Sequence, residues 1–542
     1  MTRTRGNGET RKHGDPAVVV LQSPITGHQS RLCESRVVAR SGATKQAFDK
    51  RDCFASLAMT TLGSSYESLD DTEGDVLHEE CGVIGVYRTD GAAAPLAHLG
   101  LYSLQHRGQE SAGIATSDGG RLWHHTGMGL VFQVFDQARL AALPGHLAIG
   151  HVRYSTMGSA RLENAQPLVV PSPWGPLALA HNGNLINAPV LRAELEADGV
   201  AFHSTTDSEV IAQMIARAPA PTVEEAIVYC MQHIEGAYTV TVLVAGRVMG
   251  FRDAYAIRPL VLGTTGHSWI LASETCAFDH VGALHVRDVE PGELVIFARD
   301  GFTSHQILPA ARRAHCVFEF IYFARPDTTL ADRNVHLTRR RMGQILAREH
   351  PALADVVIAV PDSGTSAAMG FAEASGIPFE VGLIKNRYIG RTFIQPDQAT
   401  RDFGMRLKLN PLREVIEGRR VVMVDDSIVR GTTSGKIVRM LRSAGAVDVH
   451  VRISSPPIRY PCFYGIDTSS RGQLVAATHS VEAIREFIGA DSLGYLSQAG
   501  LVEALNLARD RLCMACLDGQ YPTPVPLEQA AGRYALEGAA RD

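Results

Sequence analysis

Apolar positions follow two regimes along this chain. Between about residues 81 and 310 they alternate with polar positions at period two. Ala237–Val244, Val248–Arg252 and Leu294–Ala298 each read as strands of antiparallel sheets. From about residue 315 the pattern becomes continuous apolar runs alternating with helical ones, as in a parallel α/β sheet. Val356–Val360 is one such strand; Pro361-Asp-Ser-Gly-Thr-Ser366 follows it, then a small-residue helix to Ala374. Val421–Val424 is another, β-branched and short. Asp425 and Asp426 stand where it must end, Gly431-Thr-Thr-Ser434 makes a turn, and a helix opens with Ile437, Met440, Leu441 and Ala444 on one face. Residues 1–59 show no sustained period.

Composition narrows the class. With 542 residues, two or three domains are expected, and 45% hydrophobic with 20% charged residues describe an ordinary globular chain. A net charge of -5 gives no electrostatic case for nucleic acid or an anionic membrane. No apolar run is long enough to span a bilayer, and Ala17–Leu21 is too short for a signal-peptide core, so the expected location is the cytoplasm. Residues 1–59 carry ten Lys/Arg against five Asp/Glu, whereas 60–80 carry seven Asp/Glu and no Lys or Arg. A targeting peptide and an over-extended start with Met59 as initiator both fit; the second is preferred. The expected division is a leader at 1–80 (1–58 being the over-extended part), domains at 81–312 and 313–525, and a tail at 526–542. Nine cysteines, an odd number without an export signal, argue against a disulfide framework.

The turns after the two strands carry the first chemistry. Backbone N–H groups in a small-residue turn and the following helix N-terminus favour a phosphate. Carboxylates at the strand end lie where sugar hydroxyls or a hydrated Mg²⁺ would sit. A P-loop is excluded, because no Gly-Lys-Ser/Thr stands at the required spacing. The order of strand, Asp425-Asp426 and Gly431-Thr-Thr turn resembles the phosphoribosyl diphosphate (PRPP) motif of type I phosphoribosyltransferases.

A second set starts at Glu79-Glu80-Cys81. A thiol heading a β-rich segment can act as a nucleophile if a base is at hand. Cleavage between Glu80 and Cys81 would supply one, an α-amine whose unperturbed pKa is near ~8. Leu104-Gln-His-Arg-Gly-Gln-Glu-Ser-Ala-Gly113, Gly150-His-Val-Arg-Tyr-Ser-Thr156, Ala180-His-Asn-Gly-Asn184 and Thr206-Asp-Ser-Glu209 follow in order. With Cys81 they resemble the N-terminal-nucleophile glutamine amidotransferase domain, over roughly residues 81–310. The resemblance implies a four-layer αββα sandwich, with Cys81 as nucleophile, Arg153 on the α-carboxylate of glutamine and Asp207 on its α-ammonium. Asn182 and the N–H of Gly183 would form the oxyanion hole. One departure stands out. The family reads Arg-Asp-Pro-x-Gly where this chain has Arg252-Asp-Ala-Tyr-Ala256, and the lost Gly, often a residue of positive φ, puts that loop's geometry in question.

Leu383-Ile-Lys-Asn-Arg-Tyr-Ile-Gly-Arg-Thr-Phe-Ile-Gln395 reads as a basic, Gly-containing loop able to fold over a polyphosphate. Cys513-Met-Ala-Cys516, with Cys316 and Cys462 far away in sequence, is on spacing alone a redox pair, half a zinc site or part of an iron–sulfur site. The whole set, residues 81 to about 525, resembles the glutamine PRPP amidotransferase family, in the subclass that carries a [4Fe–4S] cluster. That resemblance implies Cys316, Cys462, Cys513 and Cys516 as cluster ligands. It places Asp425, Asp426 and Ser363 around Mg²⁺, Gly431, Thr432, Thr433 and Ser434 around the 5′-phosphate, and Lys385 and Arg387 on the pyrophosphate. It also implies purine-nucleotide feedback inhibitors and a homotetramer. The expected reaction moves the amide nitrogen of glutamine, as ammonia, onto C1 of PRPP. Two rivals are a glutaminase fused to another acceptor domain and a non-catalytic sensor of PRPP or nucleotides. The acidic strand end speaks against the first, the filled catalytic positions against the second.

Overall fold

The computed structural model describes residues 81–155, 157–299, 301–386, 409–466, 471–525 and 536, all within one compact unit, Ser68–Asp542. The expected leader and Arg387 lie outside the described residues.

The N-terminal half is two stacked antiparallel sheets. In chain order the strands are β1 (Gly82–Arg88), β2 (Ser111–Ser117), β3 (Leu122–Met128), β4 (Leu147–Arg153), β5 (Leu168–Ser172), β6 (Gly175–Leu185), β7 (Gly236–Val244), β8 (Arg247–Arg252), β9 (Val261–Thr264), β10 (Ser268–Ala272), β11 (Leu284–Asp288), β12 (Glu293–Ala298) and β13 (Gly301–Gln306). One sheet has the order β11-β9-β10-β1-β4-β2-β3 and the other β13-β12-β8-β7-β6-β5. Their facing side chains, among them Val83, Ile149, Ala180 and Leu243, form the central core. The helices Ala94–Ser103 and Cys276–Val281 cover the first sheet's outer face. Ala188–Ala197, Asp207–Arg217 and Val223–His233 cover the second, where Leu536 is also buried. Every residue of β7 is buried, because both its faces are covered. The result is helix, sheet, sheet, helix, as the resemblance implies, and the three strands expected from alternation are β7, β8 and β12.

The C-terminal half is a parallel sheet in the order Val356–Ala359, Arg420–Asp425, Asp448–Ile453, Ser492–Tyr495. Alternate strand residues serve opposite faces. Val357, Val422 and Val424 pack with the helices Val335–Glu349 and Thr365–Ser375. Val356, Val421 and Met423 pack with Thr432–Ser443 and Val481–Ile488. Ile437 and Leu441 are buried on that face as expected, with Met440 at its rim. No described helix is long and apolar enough to cross a membrane.

Between the halves lies a buried ring of charge. Arg107 donates to Glu274 (2.6 Å) and to both carboxylate oxygens of Glu319 (2.9 and 2.7 Å), and Arg258 stands 3.8 Å from Glu319. Arg107 and Arg258 are wholly buried, and Glu319 nearly so. Burial alone would raise the carboxyls of Glu274 and Glu319. For Glu274 His106 and Arg107 outweigh it, and for Glu319 Arg107 and Arg258 do, so both end below the ordinary range.

The loop that lacks the family's Pro and Gly keeps a left-handed turn. Ala256 adopts φ +51°, the conformation for which a Gly would be used. Its carbonyl accepts from Arg252 Nη2 (2.9 Å), while the Asp253 carboxylate accepts from the N–H groups of Tyr255 (2.9 Å) and Ile257 (3.3 Å). These bonds hold the turn against a cost of about 1–2 kcal/mol for an L-residue in that region. Restoring Gly forfeits about 0.5–1 kcal/mol of chain entropy. Ala256 is buried, so the change also gives up the burial of one methyl, about 0.8 kcal/mol; Ala256→Gly should therefore leave stability within about 0.5 kcal/mol of the parent, and a loss of about 2 kcal/mol, read from the denaturation midpoint, would refute the strain.

Candidate active sites

Cys81 directly precedes β1, and β1 pairs with β4 from Gly82↔Val152 to Tyr87↔Leu147. This register delivers the thiol to the C-terminal end of β4, where Arg153 sits. Cys81 Sγ donates to the carbonyl of Tyr154 (3.2 Å). Burial pushes the thiol up to about 11; Tyr154 and Arg153 oppose the rise, and the charges of Glu110 and Asp207 add to it. Arg153 is buried, with its guanidinium directed at the carbonyls of Met157 (3.0 Å), Gly158 (3.2 Å) and Ser159 (3.2 Å) and at Glu110 (3.4 Å). Asp207 opens the helix Asp207–Arg217 and accepts from the N–H of Leu185 (3.0 Å), which ties it to the end of β6.

Asn182 and Gly183 lie on that same strand. The Asn182 side chain is buried, and its Nδ2 has no hydrogen-bond partner among the described residues. A buried donor left unpaired is costly unless a ligand completes it. Gly183 has φ +144°, and a Cβ there would stand 2.0 Å from the carbonyl oxygen of Ala237, so no other residue fits. Cys81, Arg153, Asp207 and the Asn182–Gly183 pair are thus drawn together by β1, β4 and β6.

The high thiol pKa yields a measurable consequence. While residues precede Cys81, the thiolate is scarce at neutral pH. Iodoacetamide should then label Cys81 slowly near pH 7, the rate rising about tenfold per pH unit toward the pKa. In a chain starting at Cys81 the same burial acts, but the new α-ammonium beside the thiol favours the thiolate, so labelling at neutral pH should be faster, as read by peptide mass. Fast neutral labelling of the longer chain would contradict the burial effect.

The second site is built at strand ends of the parallel sheet. Asp425 is the last residue of its strand, and both acids are mostly buried. Asp426 accepts from Ser363 Oγ and from Ser427 Oγ (2.5 Å), and its N–H donates to Asp425 Oδ1 (2.9 Å). Burial raises the Asp426 carboxyl, with Ser363, Ser427 and Arg339 opposing. The turn after Val356–Ala359 therefore meets the acid pair across the sheet. Gly431 takes φ +84° to start the helix Thr432–Ser443, and Ser434 is buried in its first turn. Lys385 ends the strand Leu383–Lys385 and donates to Asp362 (2.9 Å), so it reaches the same strand-end turn. That strand pairs with Leu409–Pro411; the rest of the basic segment, from Arg387 on, lies outside the described residues.

Among the described residues, no three His, Cys, Asp or Glu side chains are close enough to hold a single ion. For Mg²⁺ this is unsurprising, because it keeps waters and substrate oxygens beside one or two carboxylates. A cubane cluster sets its four thiolates wider apart than one ion does. Folding brings the four cysteines together: Cys316 pairs with Cys513 across a short parallel bridge, and Cys462, Cys316 and Cys513 all act electrostatically on Cys516. Burial pushes the Cys513 thiol up to about 12 and raises that of Cys516 well above the ordinary thiol value. Bare thiolates would be unstable there, whereas metal coordination deprotonates a thiol outright, so the donor set fits an iron–sulfur cluster.

Arg107 lies within the Leu104–Gly113 motif, while Arg258, Glu274 and Glu319 stand outside every motif read from the sequence. A charged residue in an apolar run, Glu319 in Val317-Phe-Glu-Phe-Ile321, was the available signal.

Comparison with known proteins now decides the family. Residues 151–280 match a glutamine amidotransferase domain model. Over 477 residues the chain is 51% identical to amidophosphoribosyltransferase of Synechocystis, covering 87% of this chain and 96% of that protein. The chain belongs to the amidophosphoribosyltransferase family. The amidophosphoribosyltransferase of Bacillus subtilis is 50% identical, covering 83% of this chain and 95% of the relative. Among solved structures, the Bacillus subtilis glutamine PRPP amidotransferase complexed with ADP and GMP aligns with TM-score 0.79 at 49% identity, covering 83% of this chain and 99% of that one. A second, the allosteric regulatory enzyme of purine biosynthesis, aligns at 0.80 and 48% identity, covering 85% and 100%. As a member of the amidophosphoribosyltransferase family the protein is an enzyme that transfers the glutamine amide nitrogen to PRPP, the first step of purine biosynthesis. Its architecture is an N-terminal-nucleophile amidotransferase domain followed by a phosphoribosyltransferase domain.

Proposed function

We propose that the two sites divide the reaction as follows. Cys81 Sγ attacks the side-chain amide carbon of glutamine; its proton passes to the α-amine of Cys81, exposed by removal of the leader, and on to the departing nitrogen. Arg153 binds the α-carboxylate, Asp207 the α-ammonium, and Asn182 Nδ2 with the Gly183 N–H the oxyanion, each such donor contributing about 3–4 kcal/mol to the tetrahedral state. Ammonia leaves a γ-glutamyl thioester, which water hydrolyses to glutamate. The ammonia moves inside the protein to the second site and attacks C1 of PRPP with inversion, breaking the bond to pyrophosphate and giving 5-phosphoribosylamine. The unpaired Nδ2 of Asn182 is the observation that carries the assignment, because an oxyanion is the partner it lacks.

At the second site Asp425 and Asp426 hold the ribose hydroxyls, Gly431, Thr432, Thr433 and Ser434 surround the 5′-phosphate, and Lys385 and Arg387 meet the pyrophosphate. Asp425, Asp426 and Ser363 would hold Mg²⁺, which when bound neutralises charge on the leaving group. Cys316, Cys462, Cys513 and Cys516 would hold one [4Fe–4S] cluster, structural or oxygen-sensing in role, since neither half-reaction transfers electrons. The Bacillus subtilis structure with ADP and GMP supports binding of purine nucleotides, and feedback inhibition by them is part of the proposal. Assembly as a homotetramer and a cytoplasmic location complete the proposal.

The test is anaerobic purification followed by intact mass, iron and sulfide analysis, and pyrophosphate release from PRPP with glutamine. A chain starting at Cys81, with iron and sulfide near four each per chain and glutamine-driven release, is expected. Full glutamine use by a chain that retains Glu80 would overturn the α-amine as base.

A further inference from the structure

The far side of the oxyanion strand is covered by a piece of the other domain. Asn184 Nδ2 on β6 donates to the carbonyl of Phe463 (3.0 Å). Arg258 donates through Nε (2.9 Å) and Nη2 (2.5 Å) to the carbonyl of Tyr464. Gly465 takes φ +113°, and a Cβ there would stand 3.3 Å from the carbonyl carbon of Gly183 and 3.4 Å from its oxygen. The Gly183 backbone is therefore met closely both by Ala237 of β7 and by Gly465, whose own Cβ position lies equally near Arg258 Nη2 (3.3 Å). The segment is itself anchored on the synthase side. The Tyr464 hydroxyl bonds Thr523 Oγ1 (2.8 Å) and accepts from the Thr523 N–H (3.0 Å).

We propose that residues 463–465 are a cross-domain strap that positions the oxyanion hole of the glutaminase from behind, with Asn184, Arg258 and Gly465 as positioning residues. The reasoning is geometric. Gly183 is paired with Tyr238 on its β7 edge; with no Cβ to restrict φ, its remaining backbone contacts decide how its peptide planes sit. Hydrogen bonds at Asn184 and Arg258 hold the strap in register, and Gly465 sets the distance. An oxyanion donor displaced by a fraction of an ångström loses much of its effect, because its value lies in preorganisation. The substitutions leave glutamine recognition in place, since Arg153 sits on β4 and Asp207 is held by its own helix and by the Leu185 N–H, a backbone group that both variants keep. The proposal rests on the reading of Asn182 and Gly183 as the oxyanion hole.

The probe is glutamate γ-semialdehyde, whose carbonyl carbon forms a bond to Cys81 Sγ; its oxygen takes the negative charge and occupies the hole. Glutamate, which forms no tetrahedral adduct, serves as the reference ligand. Asn184→Ala removes a tether, and Gly465→Ala pushes a methyl toward Gly183; Asn182→Ala checks the hole itself. Asn184→Ala and Gly465→Ala should each weaken aldehyde binding about tenfold or more and lower the glutaminase kcat to match, a modest share of what losing an oxyanion donor costs. Glutamate affinity, the KM for glutamine and ammonia-dependent synthesis should stay unchanged. Weakened aldehyde binding in Asn182→Ala alone would overturn the strap and leave the oxyanion reading standing. Undiminished aldehyde binding in Asn182→Ala would remove that reading and the strap with it. Loss of ammonia-dependent synthesis in both strap variants would assign the segment to the synthase site and also overturn the proposal.

Discussion

Cys81→Ala is expected to abolish glutamine-dependent formation of phosphoribosylamine while ammonia-dependent formation persists. The fall should be on the order of 10⁴-fold or more, because the other residues of a covalent site cannot act without the nucleophile. The second site is untouched, since Cys81 sits at the head of β1 and the acid pair on the separate parallel sheet. Stability should change little: the thiol makes one weak bond, to the Tyr154 carbonyl, and its removal leaves a void of a single sulfur. The measurement is product formation with glutamine and with ammonium at high pH, side by side. Surviving glutaminase activity in the variant would refute the nucleophile, and loss of both routes would show that the substitution damages more than the thiol.

The converse experiment is Asp425→Asn with Asp426→Asn. Both the glutamine and ammonia routes should fall by roughly 10³-fold, the scale of losing preorganised charge at a reacting centre, while basal glutaminase remains. Asparagine keeps the shape and an acceptor oxygen, so the bonds from Ser363 and Ser427 can persist. The fold should tolerate the change for a further reason. Burial already disfavours the Asp426 carboxylate, so making that position permanently neutral relieves the apoprotein. The charge is kept at a cost, which is the pattern of a functional group. Isotope-labelled PRPP binding and pyrophosphate release would separate lost binding from lost chemistry. Undiminished ammonia-dependent synthesis would refute the acid pair as part of this site.

Much of this was legible in the chain because the chemistry sits on periodic elements. A buried strand ending in Asp425-Asp426 and reopening as a helix at Gly431 announces itself, since strand, turn and helix are all local. Cys81 was legible only through the ordered set behind it, for the residues that converge on it come from β4, β6 and the helix at Asp207. Ala256 shows the reverse case: the missing Gly was visible, but not that Arg252 and Asp253 would hold the turn without it. Of the charged ring only Glu319, a charge inside an apolar run, left a mark on the sequence; its partners could not be read, because Arg107, Glu274 and Glu319 meet only through tertiary packing. For the same reason nothing local in Phe463-Tyr-Gly465 hinted that it lies against Gly183.

The charged ring also bears on how such a protein can be inherited. Its two guanidiniums, Arg107 and Arg258, belong to the amidotransferase half, whereas Glu319 comes from the chain that follows it. Removing one member of a fully buried ion pair costs about 3–5 kcal/mol, since the partner cannot recover its water. An amidotransferase half grafted onto another acceptor would carry that debt until the new partner offered a carboxylate at the same place. Shuffling whole domains is thus a poor route to a new activity here, and the two halves are bound to drift together, each constraining which substitutions the other can accept.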